Sequence, residues 1–223
     1  MDLEQTRFNM VEQQIRTWDV LDQEVLKLLF ELRREEFVPA AYRSLAFVDM
    51  EIPLGHGEVM LAPKLEARIL QELQVKKTDK ILEVGSGSGY LAALLAKKGE
   101  YVYSVEIVPE LKAMAEKNLQ AHDIANVQVE SGDAARGWPS HAPYDVIVLT
   151  GSTPVLPEAF QKSLRTGGRL FAVVGDVPVM QAMIVNCLTQ EKEGAPGEYN
   201  TVGLFETCIT PLRNAQQPAR FTF

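Results

Sequence analysis

From residue 80 onward, the chain alternates short apolar segments with helical patterns, and this alternation restricts its possible folds more than any other feature. A short apolar run between turn signals is typical of a buried strand. Such strands alternating with helices form a parallel sheet that carries helices on both faces. We therefore predict a doubly wound α/β core with a mostly parallel sheet. The predicted strands are 80–85, 101–106, 127–131, 144–150 and 169–175, and the predicted helices are 91–98, 111–119 and 159–164.

The N-terminal third is predicted to form a helical extension with one loop. Residues 3–16 have a helical pattern, and a second helix after Asp19 shows apolar positions at the i, i+3, i+4, i+7 spacing. Another helix begins at Pro63. Residues 40–63 lack periodicity and contain several glycines and prolines, which favours a loop-rich segment. A long irregular segment inside a compact domain is often a binding loop, so we expect one here.

The end of the chain follows a different pattern. Two further apolar strands, 180–188 and 202–210, are joined by a polar segment without a helical pattern. Parallel neighbours need a long crossover, so this connection predicts an antiparallel pair at the end of the sheet. We expect the last residues to form a frayed tail. The predicted parts of one compact domain are the N-terminal extension at 1–78, the core at 79–212 and the tail at 213–223.

A glycine-rich loop, Gly85-Ser86-Gly87-Ser88-Gly89, directly follows the first core strand and opens a helix. Glycines allow a tight turn and a close approach of the backbone to a ligand. Open α/β sheets bind ligands at the carboxyl ends of their strands, where this loop lies. The dinucleotide fingerprint has the spacing GxGxxG, whereas this loop has GxGxG. That spacing is typical of Rossmann-like class I S-adenosyl-L-methionine methyltransferases and predicts that cofactor, with S-adenosyl-L-homocysteine as product.

Acidic residues follow the neighbouring strands. Glu106 ends the second core strand, where a carboxylate accepts hydrogen bonds from both ribose hydroxyls, and Asp133 follows the third, where it accepts from the adenine amino group. Asp145 begins the fourth strand, and we expect it near the same edge. The alternative is a packing turn with solvated acids at strand ends. The predicted cofactor-binding residues are Glu83, Gly85, Ser86, Gly87, Ser88, Gly89, Glu106, Ile107, Gly132, Asp133, Ala134 and Thr150.

The charge of the chain bears on its partners. There are 22 Lys and Arg residues against 30 Asp and Glu residues, a net charge of −8. An acidic surface disfavours non-specific binding to nucleic acids and anionic membranes. Nucleic-acid amino methyltransferases usually carry an Asn/Asp-Pro-Pro-aromatic motif after the fourth strand, but this chain has Thr150-Gly151-Ser152-Thr153-Pro154. We therefore predict no nucleic-acid partner.

Other features bear on compartment and metals. The sequence has no run of about 18 apolar residues and no basic-then-apolar start, so we expect neither a membrane span nor export. Cys187 and Cys208 form no CxxC pair and favour buried thiols in a reducing compartment. The three histidines are too scattered for a zinc site. We predict a cytoplasmic, metal-free protein that is a monomer or weak dimer.

Motifs along nearly the whole chain point to one group of methyltransferases. They are Arg7, Met10-Val11-Glu12, Gln14-Ile15, Asp22, Val25-Leu26, Arg34-Glu35-Glu36-Phe37-Val38-Pro39, Ala46-Phe47-Val48-Asp49, Ile52-Pro53-Leu54-Gly55, residues 82–90, residues 102–106, Gly132-Asp133 and Gly137-Trp138-Pro139. With them the sequence resembles the protein-L-isoaspartate O-methyltransferase family. Residues 137–139 are especially informative, because no general requirement of the fold places a tryptophan there.

The resemblance implies a reaction, a cofactor and a partner. The family moves a methyl group from S-adenosyl-L-methionine to the free α-carboxylate of an isoaspartyl residue in a damaged protein, which starts its repair. A carboxylate with a reference pKa of about 3.9 is ionised at neutral pH and needs no catalytic base. Positioning the two reactants would then supply most of the rate.

The chain departs from the family in its substrate loop. The family sequence T-I-S-x-P is replaced by Val59-Met60-Leu61-Ala62-Pro63, so Val59 and Leu61, the predicted catalytic positions, lack the family's hydroxyls. Glu58 replaces a residue that is usually neutral, and Ala134 replaces a glycine. The alternative is that Val59, Met60 and Leu61 are core residues under a lid. The predicted substrate-binding residues are Glu58, Met60, Ala62, Gly151 and Ser152.

Three other functions stay open at this point. The first is methyl transfer to a different peptide or small molecule. The second is a non-catalytic module that binds the cofactor. The third, a nicotinamide dehydrogenase, is disfavoured because the loop spacing is GxGxG and no Tyr-x-x-x-Lys motif accompanies it.

Overall fold

The computed structural model describes residues 2–191 and 195–218. Its N-terminal region is helical, as predicted, apart from one hairpin. Asp2 and Asp22 cap the first two α-helices by accepting hydrogen bonds from backbone N–H groups, and Pro63 begins the third. The elements are α1 (Leu3–Asn9), a π-helical segment (Met10–Ile15), 3-10 turns (Arg16–Trp18, Arg34–Glu36 and Ala40–Leu45), α2 (Gln23–Glu31), β1 (Ile52–Gly55), β2 (Glu58–Met60) and α3 (Pro63–Leu73).

The hairpin corrects the prediction for residues 40–63. The strands β1 and β2 pair antiparallel within this segment, which we predicted to be loop-rich. They have only four and three residues, and β1 contains Pro53. Strands this short leave too few residues for an alternating pattern to stand out from the turn signals.

The core is a seven-stranded sheet, and the predicted fold class is confirmed. Its order is β5-β4-β3-β6-β7-β8-β9, in which the pairs from β5 to β7 are parallel and the last two are antiparallel. The elements are β3 (Lys80–Val84), α4 (Tyr90–Lys98), β4 (Tyr101–Glu106), α5 (Pro109–Ala121), β5 (Val127–Ser131), β6 (Tyr144–Leu149), α6 (Glu158–Lys162), β7 (Leu164–Asp176), β8 (Val179–Thr189) and β9 (Glu198–Thr207).

The order of the strands places the site. β3 pairs with β4 on one side and with β6 on the other, so the direction of winding reverses at this strand. Ligands of open α/β sheets bind at such a switch point, outside the carboxyl ends of the strands. The glycine loop, Glu106, Asp133 and Thr150 follow or end β3, β4, β5 and β6, respectively, and therefore share this edge.

Three details of the C-terminal part differ from the prediction. Leu164, predicted to end a helix, begins β7, because α6 stops at Lys162. The last strand begins at Glu198 and ends at Thr207, whereas we predicted 202–210. β9 lies at the edge of the sheet and is largely exposed, so burial left little apolar pattern to mark its limits.

The prediction of a frayed tail from residue 213 is wrong at its start. Arg213 and Asn214 donate hydrogen bonds to side chains of the candidate site, and Ala215 is buried. Residues 219–223 lie outside the described part of the chain. None of the helices within the described ranges combines the length and the apolar character that a bilayer crossing requires.

One apolar cluster joins the N-terminal region to the sheet. It contains Met10 and Leu29 from the helical extension, Leu65 from α3, and Val146 and Phe171 from the core strands. Burial of such side chains is the main favourable contribution to folding. The predicted boundaries of the N-terminal extension, the core and the tail, at residues 78 and 212, stay a prediction.

Candidate functional site

A pocket opens at the carboxyl edge of the sheet, and the glycine loop forms one wall. Gly85, Gly87 and Gly89 have φ values of +97°, +52° and +81°, a region that other residues seldom adopt. A Cβ atom at Gly85 would lie 2.2 Å from the Thr150 Oγ1 atom. The Thr150 hydroxyl donates to the carbonyl oxygen of Val84 (2.8 Å), which holds the ends of β3 and β6 together.

Glu106 is held at the pocket by the backbone. One carboxylate oxygen accepts from the Gly87 N–H at 2.9 Å, and the other accepts from the Val108 N–H at 2.9 Å. Each oxygen of a carboxylate accepts about two hydrogen bonds, so both retain capacity for a ligand. The side chain is buried and lines the pocket, which suits a pair of vicinal hydroxyls.

Asp133 lines the same pocket and is also positioned by its neighbours. Its oxygens accept from the Ala135 N–H at 3.0 Å and from the Asn214 side-chain amide at 2.8 Å. The preceding Gly132 packs against Trp138, whose ring would lie 2.4 Å from a Cβ atom at that position. This contact gives a physical reason for the tryptophan in the sequence motif.

Glu83 is fully buried at the base of the pocket. One oxygen accepts from the Ser104 hydroxyl, which lies 2.5 Å from the Ser86 hydroxyl, and the other has no hydrogen-bond partner within the described residues. Burial raises the pKa of Glu83 to about 8, against the lowering effect of the Ser104 bond, and the nearby Glu106 and Glu66 raise it further. At neutral pH this carboxyl is therefore mostly protonated.

We expect the protonation of Glu83 to make cofactor binding depend on pH. The cationic sulfonium of S-adenosyl-L-methionine favours the ionised carboxyl, so binding should lower the pKa and release a proton. Affinity should then rise with pH up to about 8, by at most about tenfold per pH unit. Calorimetric titrations from pH 6 to 9 measure this slope. Glu83→Gln should remove it and leave the titration of the ligand's own amino group; equal slopes in both proteins would contradict the expectation.

Glu66, which also lines the pocket, belongs to a buried ion pair that the sequence did not predict. The Arg34 guanidinium contacts the Glu66 carboxylate and donates to the carbonyl oxygens of Ala46 (2.9 Å) and Leu61 (2.6 Å). Both charged side chains are buried, and burial raises the pKa of Glu66 to about 7 although Arg34 lowers it. Arg34 therefore fixes the backbone at Leu61. Only its place in a family motif distinguished it in the sequence.

Strand β2 and Leu61, which follows it, contribute another part of the pocket wall. Val59, Met60 and Leu61 line the pocket, and Met60 and Leu61 are also buried. Glu58 lines the pocket too and forms an ion pair with Arg213, which also donates to the carbonyl oxygen of His56. Met60 and Leu61 thus belong both to the core and to the pocket, whereas Val59 is half-buried and lines the pocket only. None of these three side chains offers a hydrogen-bond donor.

Comparison with known proteins identifies the family. The family model described as Protein-L-isoaspartate(D-aspartate) O-methyltransferase matches residues 5–198. The chain belongs to this family. A protein-L-isoaspartate O-methyltransferase of Gloeobacter violaceus is 40% identical over 176 residues, covering 79% of this chain and 86% of the relative. One from Methanoculleus marisnigri is 36% identical over 206 residues, covering 92% and 90%.

A solved structure shares the fold. A putative protein-L-isoaspartate O-methyltransferase of Plasmodium falciparum, in complex with S-adenosyl-L-homocysteine, superposes with a TM-score of 0.75 at 20% identity, covering 92% of this chain and 96% of that one. Membership of the protein-L-isoaspartate(D-aspartate) O-methyltransferase family confirms the predicted enzyme class, an S-adenosyl-L-methionine-dependent O-methyltransferase, and the predicted cofactor.

Most of the residues predicted to bind the cofactor or the substrate line this one pocket. Ala62 and Ser152 lie outside its lining, and the Ser152 hydroxyl is buried and donates to the carbonyl oxygen of Ile209 at 3.2 Å. The predicted residues that line it are Glu58, Val59, Met60, Leu61, Glu83, Gly85, Ser86, Gly87, Ser88, Glu106, Ile107, Gly132, Asp133, Ala134, Thr150 and Gly151. Gly89 also lies outside the lining and is the N-cap residue that precedes α4.

One expectation was wrong, and one segment was missed. Asp145 lies at the amino end of the sheet, where it accepts from the Lys80 N–H at 2.8 Å and contacts Arg165 at 3.1 Å. A residue near the start of a parallel strand cannot share the edge where its neighbours end. Conversely, residues 210–213 line the pocket although they follow the last strand. No local pattern in the sequence indicated that this segment returns to the site.

Proposed function

We propose that this chain transfers a methyl group from S-adenosyl-L-methionine to the free α-carboxylate of L-isoaspartyl residues in damaged proteins. The observation that carries the proposal is that a single pocket joins the glycine loop, Glu106 and Asp133 to the substrate loop around Leu61. Arg34 holds this loop by the Leu61 carbonyl oxygen, so its backbone is fixed where the family places its hydroxyls.

The residues of the chain act by positioning the cofactor and the acceptor. Glu106 would bind the ribose hydroxyls, Asp133 the adenine amino group, and the ionised form of Glu83 would lie near the positive charge. The cofactor supplies an electrophilic methyl group on a sulfonium. An acceptor carboxylate oxygen held in line would form the new C–O bond as the C–S bond breaks, giving a methyl ester and S-adenosyl-L-homocysteine. No proton is transferred, so orientation supplies the rate.

A second candidate is methyl transfer to a different peptide or small molecule. The observation that favours it is the apolar surface at Val59 and Leu61, where the family's hydroxyls are missing. A hydrogen bond to a charged group contributes about 1.5–3 kcal/mol, so losing one costs roughly tenfold to a hundredfold in the family reaction. A non-catalytic cofactor-binding module is the third candidate.

The deciding experiment measures methyl transfer from labelled S-adenosyl-L-methionine to an isoaspartyl peptide, with the normal aspartyl peptide as the control. Cofactor affinity is measured on the same sample. Transfer to the isoaspartyl peptide alone supports the proposal. Firm cofactor binding without transfer would overturn it, and release of S-adenosyl-L-homocysteine with other acceptors would then favour the second candidate.

Restoring the family's hydroxyls should raise activity. We expect Val59→Thr combined with Leu61→Ser to increase isoaspartyl transfer roughly tenfold to a hundredfold, because each hydroxyl adds a donor for an anionic acceptor. Leu61→Ala with Val59 unchanged is the control, since it removes similar bulk without adding a hydroxyl. Thermal unfolding must show that each variant folds, because the smaller side chain leaves a cavity. No gain over the control would count against the loss of hydroxyls as the cause.

The proposal also covers the cellular compartment, the oligomeric state and the partners. We propose a cytoplasmic monomer or weak dimer that acts on peptides and proteins and has no nucleic-acid partner. Cys187 is buried as predicted, whereas Cys208, which was also predicted to be buried, is exposed. Both are free thiols, and with the net charge of −8 they support this proposal. The proposed parts remain the extension with the substrate loop at 1–78, the catalytic core at 79–212 and the tail beyond.

A further inference from the structure

The charges around the pocket suit the cofactor better than the acceptor. The acidic residues lining it are Glu58, Glu66, Glu83, Glu106 and Asp133. Glu83 is mostly protonated at neutral pH and Arg34 offsets the charge of Glu66, so the remaining negative charge is that of Glu58, Glu106 and Asp133. This charge favours a cationic sulfonium, but it opposes an anionic acceptor. Within the described part of the chain, Arg213 is the one lining residue with a cationic side chain.

The backbone fixes Arg213 at the pocket mouth. The preceding residues bond to the segment that follows β6: the Ser152 N–H donates to the Thr210 carbonyl oxygen at 3.1 Å, and the Leu212 N–H donates to that of Ser152 at 2.9 Å. The next residue, Asn214, donates to Asp133 at 2.8 Å. Arg213 is thus anchored on both sides by contacts with the site.

The guanidinium of Arg213 retains donors for a ligand. Its Nε atom donates to Glu58 and its Nη2 atom to the His56 carbonyl oxygen, whereas Nη1 has no partner among residues 2–191 and 195–218. The side chain is 42% exposed, so these remaining N–H groups are accessible. Guanidinium donors match the geometry of a carboxylate.

We propose that Arg213 binds the acceptor carboxylate in place of the hydroxyls absent at Val59 and Leu61, and that Glu58 is its counter-ion when no acceptor is bound. This assignment rests on the proposed function. Glu58 and Arg213 thereby act as a pair: the acid neutralises the base until an anionic acceptor shares its donors. Arg213 is a specificity-determining residue for carboxylate acceptors, and loss of its charge affects acceptor binding and leaves cofactor binding intact.

The test uses two peptides that differ by one charge. Both are acetylated and amidated at their ends; one has the free isoaspartyl α-carboxylate, and the other has an α-carboxamide there. Calorimetry measures their binding to the protein loaded with S-adenosyl-L-homocysteine. For Arg213→Gln we expect about tenfold weaker binding of the carboxylate peptide, the lower end for a charged hydrogen bond because the site is partly exposed. Binding of the carboxamide peptide and of the cofactor should not change.

Two further variants sharpen the result. Arg213→Lys should recover part of the affinity, since it keeps the charge without the fork of donors. Glu58→Gln should tighten carboxylate binding by up to about fivefold, because it removes a competing acid at an exposed pair. In transfer assays Arg213→Gln should raise KM and leave kcat nearly unchanged.

Each outcome is decisive. The assignment is overturned if Arg213→Gln binds the carboxylate peptide as the unmodified protein does, if both peptides lose affinity equally, or if the unmodified protein does not distinguish them. If carboxylate binding depends on Arg213 but no methyl ester forms, the assignment stands and the proposed function fails. If ester forms without dependence on Arg213, the proposed function stands and the assignment fails.

Discussion

Replacing Glu106 by alanine is expected to weaken binding of S-adenosyl-L-methionine by roughly a hundredfold to ten-thousandfold. Two hydrogen bonds from ribose hydroxyls to a carboxylate are each worth about 1.5–3 kcal/mol, and about 1.4 kcal/mol corresponds to a factor of ten. The substitution also removes the acceptor for the Gly87 N–H, which anchors the glycine loop. Calorimetry on the folded variant measures the loss.

Two matched variants separate ribose binding from general damage. Glu110→Ala removes an exposed carboxylate from the first turn of α5 and should leave affinity unchanged. Glu106→Gln keeps one acceptor oxygen and removes the charge, so it should give an intermediate loss. Unchanged affinity in a folded Glu106→Ala protein would show that the ribose is bound elsewhere.

The glycine loop and the acids after the strands were predictable because their positions follow from topology. Buried parallel strands read as continuous apolar runs, so the ends of 80–85, 101–106 and 127–131 were visible in the sequence. Parallel strands end on one edge, and the residues that follow them must meet there. Asp145 lies near the beginning of its strand, so the same rule places it at the opposite edge of the sheet.

The acceptor wall was less predictable because long-range pairs build it. Arg34 and Glu66 are 32 residues apart, and Glu58 and Arg213 are 155 apart. In the sequence each of these charges looks like a solvated residue, since periodicity reports only neighbours within an element. The short β1–β2 hairpin, which contains Glu58 and Val59, was also not predicted from the sequence. The family resemblance supplied the register of this loop but not what holds it.

Loss of the buried Arg34 should produce the largest change in stability. Arg34→Met is expected to lower the free energy of unfolding by about 3–5 kcal/mol, because it leaves the Glu66 carboxyl buried without its partner. The carbonyl oxygens of Ala46 and Leu61 also lose their donor. For a chain of this size the loss corresponds to a fall of roughly 6–20 °C in Tm. Urea unfolding gives the free energy directly.

The stability lost on replacing Arg34 by methionine should increase with pH. Burial raises the pKa of Glu66 to about 7, so in the intact protein its contribution to stability falls as pH rises from about 4.5 through 7. Without Arg34 the pKa rises further, because the group that lowered it is gone. The carboxyl must then stay protonated at higher pH, and the difference between the two proteins should grow from pH 6 to pH 8. An equal loss at both values would contradict this account.

A double variant distinguishes an unpaired charge from lost packing. Arg34→Met with Glu66→Leu removes both charges, and replacing a buried pair by apolar residues is often nearly neutral. It should therefore recover much of the stability at pH 8 and lose the pH dependence. It does not restore the donor to the Leu61 carbonyl oxygen. If Arg34 also positions the substrate loop, this double variant should regain stability without regaining acceptor affinity, which separates the two roles of one side chain.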